Sequence, residues 1–113
     1  MTEQTVQLAP ADGKLGILLP GMGAVATTLI AGVLAVRKGG GQPIGSLTQM
    51  GKLRTAVGNQ KIKDFVPLTD LNDIEFGGWD VYEDNVYQAA VKAAVLDDKL
   101  LQSVRPELEA MVP

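Results

Sequence analysis

From Leu15 to Val36 the chain runs 22 residues without a charge, with Lys14 before it and Arg37 and Lys38 behind it. A transmembrane helix needs about 20 apolar residues, so length alone admits a single-pass membrane peptide. Pro20, Gly21 and Gly23 stand a third of the way along, and Thr27 and Thr28 follow. Inside a helix a proline costs about 3 kcal/mol and each glycine about 1, relative to alanine. The break favours strand, turn and helix over one continuous span, and no membrane partner is expected. Residues 15–19, LGILL, predict a strand buried on both faces, as in a parallel sheet. From Ala24 onward, Val25, Leu29, Gly32, Val33 and Val36 recur at three- and four-residue spacing, the period of one helix face. Arg37 and Lys38 fall in the last turn, where cations meet the negative end of the dipole, and Gly39 to Gly41 end the helix.

The turn between these elements, Gly21-Met22-Gly23-Ala24-Val25-Ala26, matches the dinucleotide pattern G-x-G-x-x-G/A. Gly21 suits a tight turn out of the strand. Gly23, lacking a side chain, lets a pyrophosphate come close to the backbone. Ala26 lets the helix pack near the strand. The free amides and positive dipole end of the helix would hold phosphate charge. The pattern is short, and an ordinary strand-to-helix turn with small residues for packing fits it as well.

The rest of that fingerprint is an acid roughly 20 residues further on, which accepts from the adenosine ribose. Here the region reads GQPIGSLTQMG and holds no carboxylate. Either Ser46, Thr48 and Gln49 serve a cofactor differently, or another acid does. The best substitute is Asp80, in FGGWD, after an apolar run and a glycine pair. A glycine pair at a strand end allows another molecule to approach the backbone closely. A helix cap or turn residue is the plainer reading of Asp80.

Composition narrows the chemistry. With no histidine and no cysteine in 113 residues, the chain cannot supply a histidine general base, a thiolate, or a zinc site built on either residue. The net charge of −3 conceals an asymmetry. No Asp or Glu occurs between Asp12 and Asp64, while Lys14, Arg37, Lys38, Lys52, Arg54, Lys61 and Lys63 all lie there. Such a region suits an anionic partner or simply a solvated surface. The charges are too scattered and the aromatics too few for a nucleic-acid platform.

Elsewhere, residues 1–13 read as a mobile lead-in, without the basic and apolar order of a secretory signal. Residues 44–48 predict a short strand, and the stretch to Lys63 irregular surface. Residues 74–76 predict a strand running into Gly77 and Gly78. A second helix should bury Val86, Ala90, Ala93 and Leu96, with Asp84 as its N-cap. Asp97 would cap a following helix through Val104, and Pro106 would open a last helical piece.

Four segments together resemble myo-inositol-1-phosphate synthase, also called inositol-3-phosphate synthase. They are GILLPGMGAVATTLIAGVLAVRKG, PIGSLTQMG, DFVPLTDLNDIEFGGWDV and AAVLDDKLLQSVRPELEAMVP. GSLTQ and FGGWD in this order are far more specific than the glycine turn, and GMGAVATT is similar to the prokaryotic form. The likeness covers residues 14–113, nearly the whole chain.

The resemblance implies an α/β fold: a Rossmann-like parallel sheet with flanking helices, incomplete in this chain. Residues 14–113 would be the amino-terminal part of an NAD-binding domain. Gly21, Met22, Gly23, Ala24, Val25, Ala26 and Thr27 map onto the pyrophosphate site, and Asp80 onto the acid that contacts the adenosine ribose. The implied reaction is the NAD-dependent isomerisation of D-glucose 6-phosphate to 1D-myo-inositol 3-phosphate by oxidation, aldol closure and reduction. The implied setting is a cytoplasmic homo-oligomer, a tetramer in the family. The family's catalytic lysines belong to a later domain, and none of Lys52, Lys61 and Lys63 matches them, so the chain alone is expected to be inactive. The contrasting reading is a non-enzymatic module that associates with itself through apolar surface its missing partner would cover.

Overall fold

The computed structural model describes residues 9, 12–44, 46–55, 58–65 and 67–113. The expected lead-in over 1–13 lies largely outside the described residues.

The uncharged run is two elements. Strand β1 (Leu15–Pro20) leads through residues 21–23 into helix α1 (Ala24–Arg37). Strand β1 is not buried on both faces as expected, since Leu15 and Leu18 are exposed in a sheet of two strands among the described residues. Among the described residues no helix is long and apolar enough to cross a membrane.

Helix α1 buries a different face from the one its apolar spacing suggests. Ala26, Thr27, Ile30, Ala31, Val33, Leu34 and Ala35 are buried, whereas Val25 is 84% exposed and Leu29 41%. The helix is apolar almost all round, so periodicity could not choose between two faces, and packing chose. The face through Ile30 and Leu34 joins the core; the stripe through Val25, Leu29, Gly32 and Val36 lines open grooves. An all-round apolar helix is the kind buried on every side in a larger domain.

Between Arg37 and the next core strand the chain makes an excursion. It contains a one-turn helix α2 (Leu47–Met50) and strands β2 (Lys52–Thr55) and β3 (Gly58–Lys61), then helix α3 (Ile62–Phe65). Strands β2 and β3 pair antiparallel, with Lys52 opposite Lys61 and Thr55 opposite Gly58. The expected strand at 44–48 is not there: Ile44 lies in a turn and Leu47 begins α2, while Gly45 lies outside the described residues. The expected irregular surface after it is a hairpin. Its strands, KLRT and GNQK, pair through their backbones, and their sequences show no hydrophobic alternation to signal them.

A 3₁₀ turn, Leu71–Asp73, capped by the Asp70 side chain on the Asn72 N–H at 2.9 Å, delivers the chain to strand β4 (Ile74–Trp79). Strand β4 runs parallel to β1, in register from Leu15 opposite Ile74 to Pro20 opposite Trp79. Arg37, at the end of α1, fixes where β4 starts: its guanidinium donates to the carbonyls of Leu71 (2.6 Å) and Ile74. The sheet and its flanking helices thus form a Rossmann-like α/β unit, and among the described residues the parallel sheet has two strands.

Helices α4 (Val86–Ala93) and α5 (Asp98–Glu109) pack with α1 into one core. Ile30, Val104 and Leu108 are fully buried there, each contributing about 1.5–3 kcal/mol of transfer free energy. The N-cap of α4 is Asn85, not Asp84: Asn85 accepts the Gln88 N–H at 2.8 Å, and Gln88 accepts the Asn85 N–H at 3.0 Å. That reciprocal box satisfies two amides at once, while Asp84 pairs with Lys92 at 2.7 Å. Helix α4 stops earlier than expected, at Ala94 in the left-handed region (φ 55°), and Leu96 packs on the core from beyond it.

Asp97 caps α5 as expected, accepting from the Leu100 N–H at 2.8 Å. Pro106 does not open a separate piece; it lies inside the continuous helix. An interior proline costs about 3 kcal/mol, and burial of Leu101, Val104 and Leu108 from one face of α5 outweighs it.

Candidate nucleotide-binding site

Parallel pairing sets the carboxyl ends of β1 and β4 side by side, so the glycine turn after β1 meets the GWD segment ending β4. This is where open parallel sheets bind ligands. The two segments are joined by hydrogen bonds. The Gly21 N–H donates to the Trp79 carbonyl at 2.7 Å, extending the ladder one residue past the strand. The Met22 N–H donates to Asp80 Oδ2 at 2.9 Å. The other carboxylate oxygen, Oδ1, accepts from the Val81 N–H at 2.6 Å and the Tyr82 N–H at 3.5 Å. These amides favour the ionised form, the Met22 N–H most, and hold the Asp80 carboxyl below its ordinary pKa despite some desolvation. Asp80 is therefore an anion at neutral pH.

The glycines have separable reasons. Gly21 has φ +100°, a conformation that side chains rarely adopt. Gly23 has ordinary extended backbone, and a β-carbon there would meet nothing within 4 Å. Among the described residues no packing explains its smallness, and the space beside it is open. Gly78 is different: a β-carbon there would strike the Leu19 carbonyl and stand 2.6 Å from Met22 Cε. What approaches the glycine pair on this face is the chain itself, not the separate molecule that the sequence suggested. Gly78 and the Trp79 carbonyl are the site components missed by motif reading; FGGWD itself was the available signal.

The remaining motif residues divide between surface and interior. Ala24 and Val25 are exposed and line a groove of about 390 Å³ over Gly21, Gly23 and Leu29. Met22, Ala26 and Thr27 are buried beneath the turn. The Thr27 hydroxyl donates to the Gly23 carbonyl at 2.8 Å, so it braces the turn from inside. The N-cap of α1 is Gly23, which offers no capping side chain, and no acid lies in the first turn. Its first amides thus meet no competing side-chain acceptor, which fits a pyrophosphate. Ser46 and Gln49 line a different and larger groove of about 940 Å³, with Leu15, Ile17 and Val33, and do not join Asp80.

Comparison with known proteins gives the family. An NAD-binding family model described as myo-inositol-1-phosphate synthase matches residues 15–113. The chain belongs to the myo-inositol-1-phosphate synthase family. It is 56% identical over 109 residues to inositol-3-phosphate synthase 1 of Bacteroides thetaiotaomicron, a match covering 95% of this chain and 25% of that protein. It is 39% identical over 116 residues to inositol-3-phosphate synthase 1 of Oryza sativa subsp. japonica, covering 88% and 23%. The crystal structure of inositol-3-phosphate synthase from Caenorhabditis elegans superposes with a TM-score of 0.73 at 26% identity, over 87% of this chain and 22% of that one. The chain spans about a quarter of the length of these synthases. The matched region contains both the glycine turn and GWD.

Proposed function

We propose that this chain supplies the cofactor-binding portion of an inositol-3-phosphate synthase, the isomerase that converts D-glucose 6-phosphate to 1D-myo-inositol 3-phosphate. The observation that carries the proposal is the meeting of the glycine turn and Asp80 at adjacent carboxyl ends of parallel strands. Gly21, Gly23, Ala24 and Val25 would lie along the pyrophosphate, with the start of α1 supplying amides and dipole, and Met22 would support them from beneath. Ala26 and Thr27 would act from beneath, keeping the helix close and the turn in shape. Asp80 would accept from the adenosine ribose, the task for which the region 20 residues past the glycines holds no carboxylate. NAD held there would supply reversible hydride chemistry for a reaction whose net change is an isomerisation. No residue of this chain is assigned a catalytic role, and activity of the whole enzyme would need the remainder of a full-length synthase.

Calorimetric titration with NAD+ and NADH tests the proposal. Binding should be measurable for the unaltered chain and reduced by Gly23→Val and by Asp80→Ala. Equal binding by all three, or none by the unaltered chain, would count against the site.

A second reading concerns association. Among the described residues β1 and β4 pair only with each other, while Leu18 is 70% exposed and Val25 84%. An open strand edge beside apolar surface promotes self-association, so the chain by itself would form oligomers. Light scattering that reports a monodisperse monomer at high concentration would dismiss this reading.

A further inference from the structure

The FGGWD segment and the glycine turn meet through their own atoms. The Trp79 carbonyl accepts from Gly21, the Asp80 carboxylate accepts from Met22, and Met22 Cε lies against the bare backbone of Gly78. The Met22 side chain is itself buried, so the turn is held from below as well as from the side. A turn of small residues has high backbone entropy, which is lost when the turn is fixed. A cofactor that finds the turn already ordered does not bear that cost.

We infer that Asp80 is a positioning residue for the glycine turn, holding the Met22 amide in place before any nucleotide arrives. This adds to the ribose role proposed above, and its ligand-binding test rests on that reading. The acceptor count permits both roles. A carboxylate offers about four acceptor positions, and Asp80 fills three with the N–H groups of Met22, Val81 and Tyr82. A ribose diol brings two donors, so it takes the open position and displaces the weakest present partner. At 3.5 Å that partner is the Tyr82 N–H, and the bond to Met22 at 2.9 Å remains. Asp80 then bridges the adenosine end of the ligand and the turn that faces its phosphates.

Two measurements test the inference. The first needs no ligand and no variant: the Met22 amide resonance is followed against pH in the nucleotide-free chain by NMR. It should titrate at acid pH with the same midpoint as the Asp80 carboxyl carbon. A Met22 amide indifferent to that titration would overturn the positioning role. The second compares ADP with 2′,3′-dideoxy-ADP, which has no ribose diol, on the unaltered chain and on Asp80→Ala. If Asp80 positions the turn, the substitution weakens the dideoxy nucleotide as well, by about tenfold, the scale of one lost hydrogen bond to a charged group. If dideoxy-ADP binds both proteins equally while ADP weakens, Asp80 is a ribose ligand only and the inference fails. If neither nucleotide binds the unaltered chain, the nucleotide reading fails, and the Met22 titration alone decides the positioning role.

Discussion

Met22 Cε sits 2.6 Å from where a β-carbon on Gly78 would stand, so the buried residue of the glycine turn and the second glycine of FGGWD fit only as a pair. The neighbouring obstacle is the Leu19 carbonyl, which belongs to the sheet backbone and cannot rotate away. Gly78→Ala should therefore destabilise the fold by about 1–3 kcal/mol, the usual cost of overpacking. Urea unfolding would measure it, and a midpoint unchanged from that of the unaltered chain would refute the packing argument.

Gly23→Ala should behave in the opposite way. Open space surrounds that position, so stability should change by less than about 1 kcal/mol, a small N-cap effect. Affinity for NAD+ should fall, because the added methyl group projects into space the chain leaves clear. The pair of glycine variants separates packing from ligand approach by unfolding and calorimetry on the same samples.

Arg37 should prove a register clamp. Its guanidinium serves the carbonyls of both Leu71 and Ile74, a forked geometry that a lysine ammonium does not reproduce. Both Arg37→Lys and Arg37→Met should destabilise the chain, Arg37→Met by about 2 kcal/mol as two carbonyls lose a charged donor. Thermal unfolding would show Arg37→Lys closer to Arg37→Met than to the unaltered chain.

Ala94 ends α4 at φ 55°, a conformation that costs a residue with a β-carbon roughly 1–2 kcal/mol. Ala94→Gly should stabilise the chain by about 1 kcal/mol, because glycine adopts this geometry freely at a helix end. At the other end of α4, Asn85→Ala should cost about 1 kcal/mol by breaking the capping box. Asp84→Ala should cost less than Asn85→Ala. The reverse order would mean that the cap is wrongly placed.

Acid should loosen the site in a definite direction. Asp80, Glu75 and Glu107 all have carboxyl pKa values lowered in the folded chain, by the Met22 N–H, by Lys14 and by Lys38 respectively. A depressed folded-state pKa adds stability above the unfolded value, and that addition is lost as pH falls through the folded value. Stability should hold steady from neutrality to about pH 5 and decline below about pH 4. Substituting Asp80 by Asn should flatten part of that decline. The Lys14–Glu75 pair is exposed, so removing it should matter little.

The elements legible in advance were those whose signals are local. Pro20, Gly21 and Gly23 marked strand, turn and helix, because these residues set backbone geometry whatever surrounds them. Asp97 was readable as a cap for the same reason. The errors arose where two local signals competed or none existed. Asp84 and Asn85 are both capable caps, and the reciprocal bond from Gln88 selected Asn85. The β2–β3 hairpin is polar and shows no apolar alternation. Pro106 obeyed burial over propensity. The glycine turn and FGGWD were legible as patterns, and resemblance to a family joined them before any geometry did.

Sequence by itself determined that an uncharged run would break at the glycine turn, that histidine and cysteine chemistry is absent, and which family the motifs match. The tertiary structure decided which face of α1 is buried and what Gly78 is for. It also brought Asp80 to Met22 across a separation of 58 positions in sequence. The physical reason is that turn geometry and residue chemistry act within a few residues of chain. A parallel strand pair can close only after a long crossover, and what meets at its carboxyl ends is set by register rather than by any local pattern.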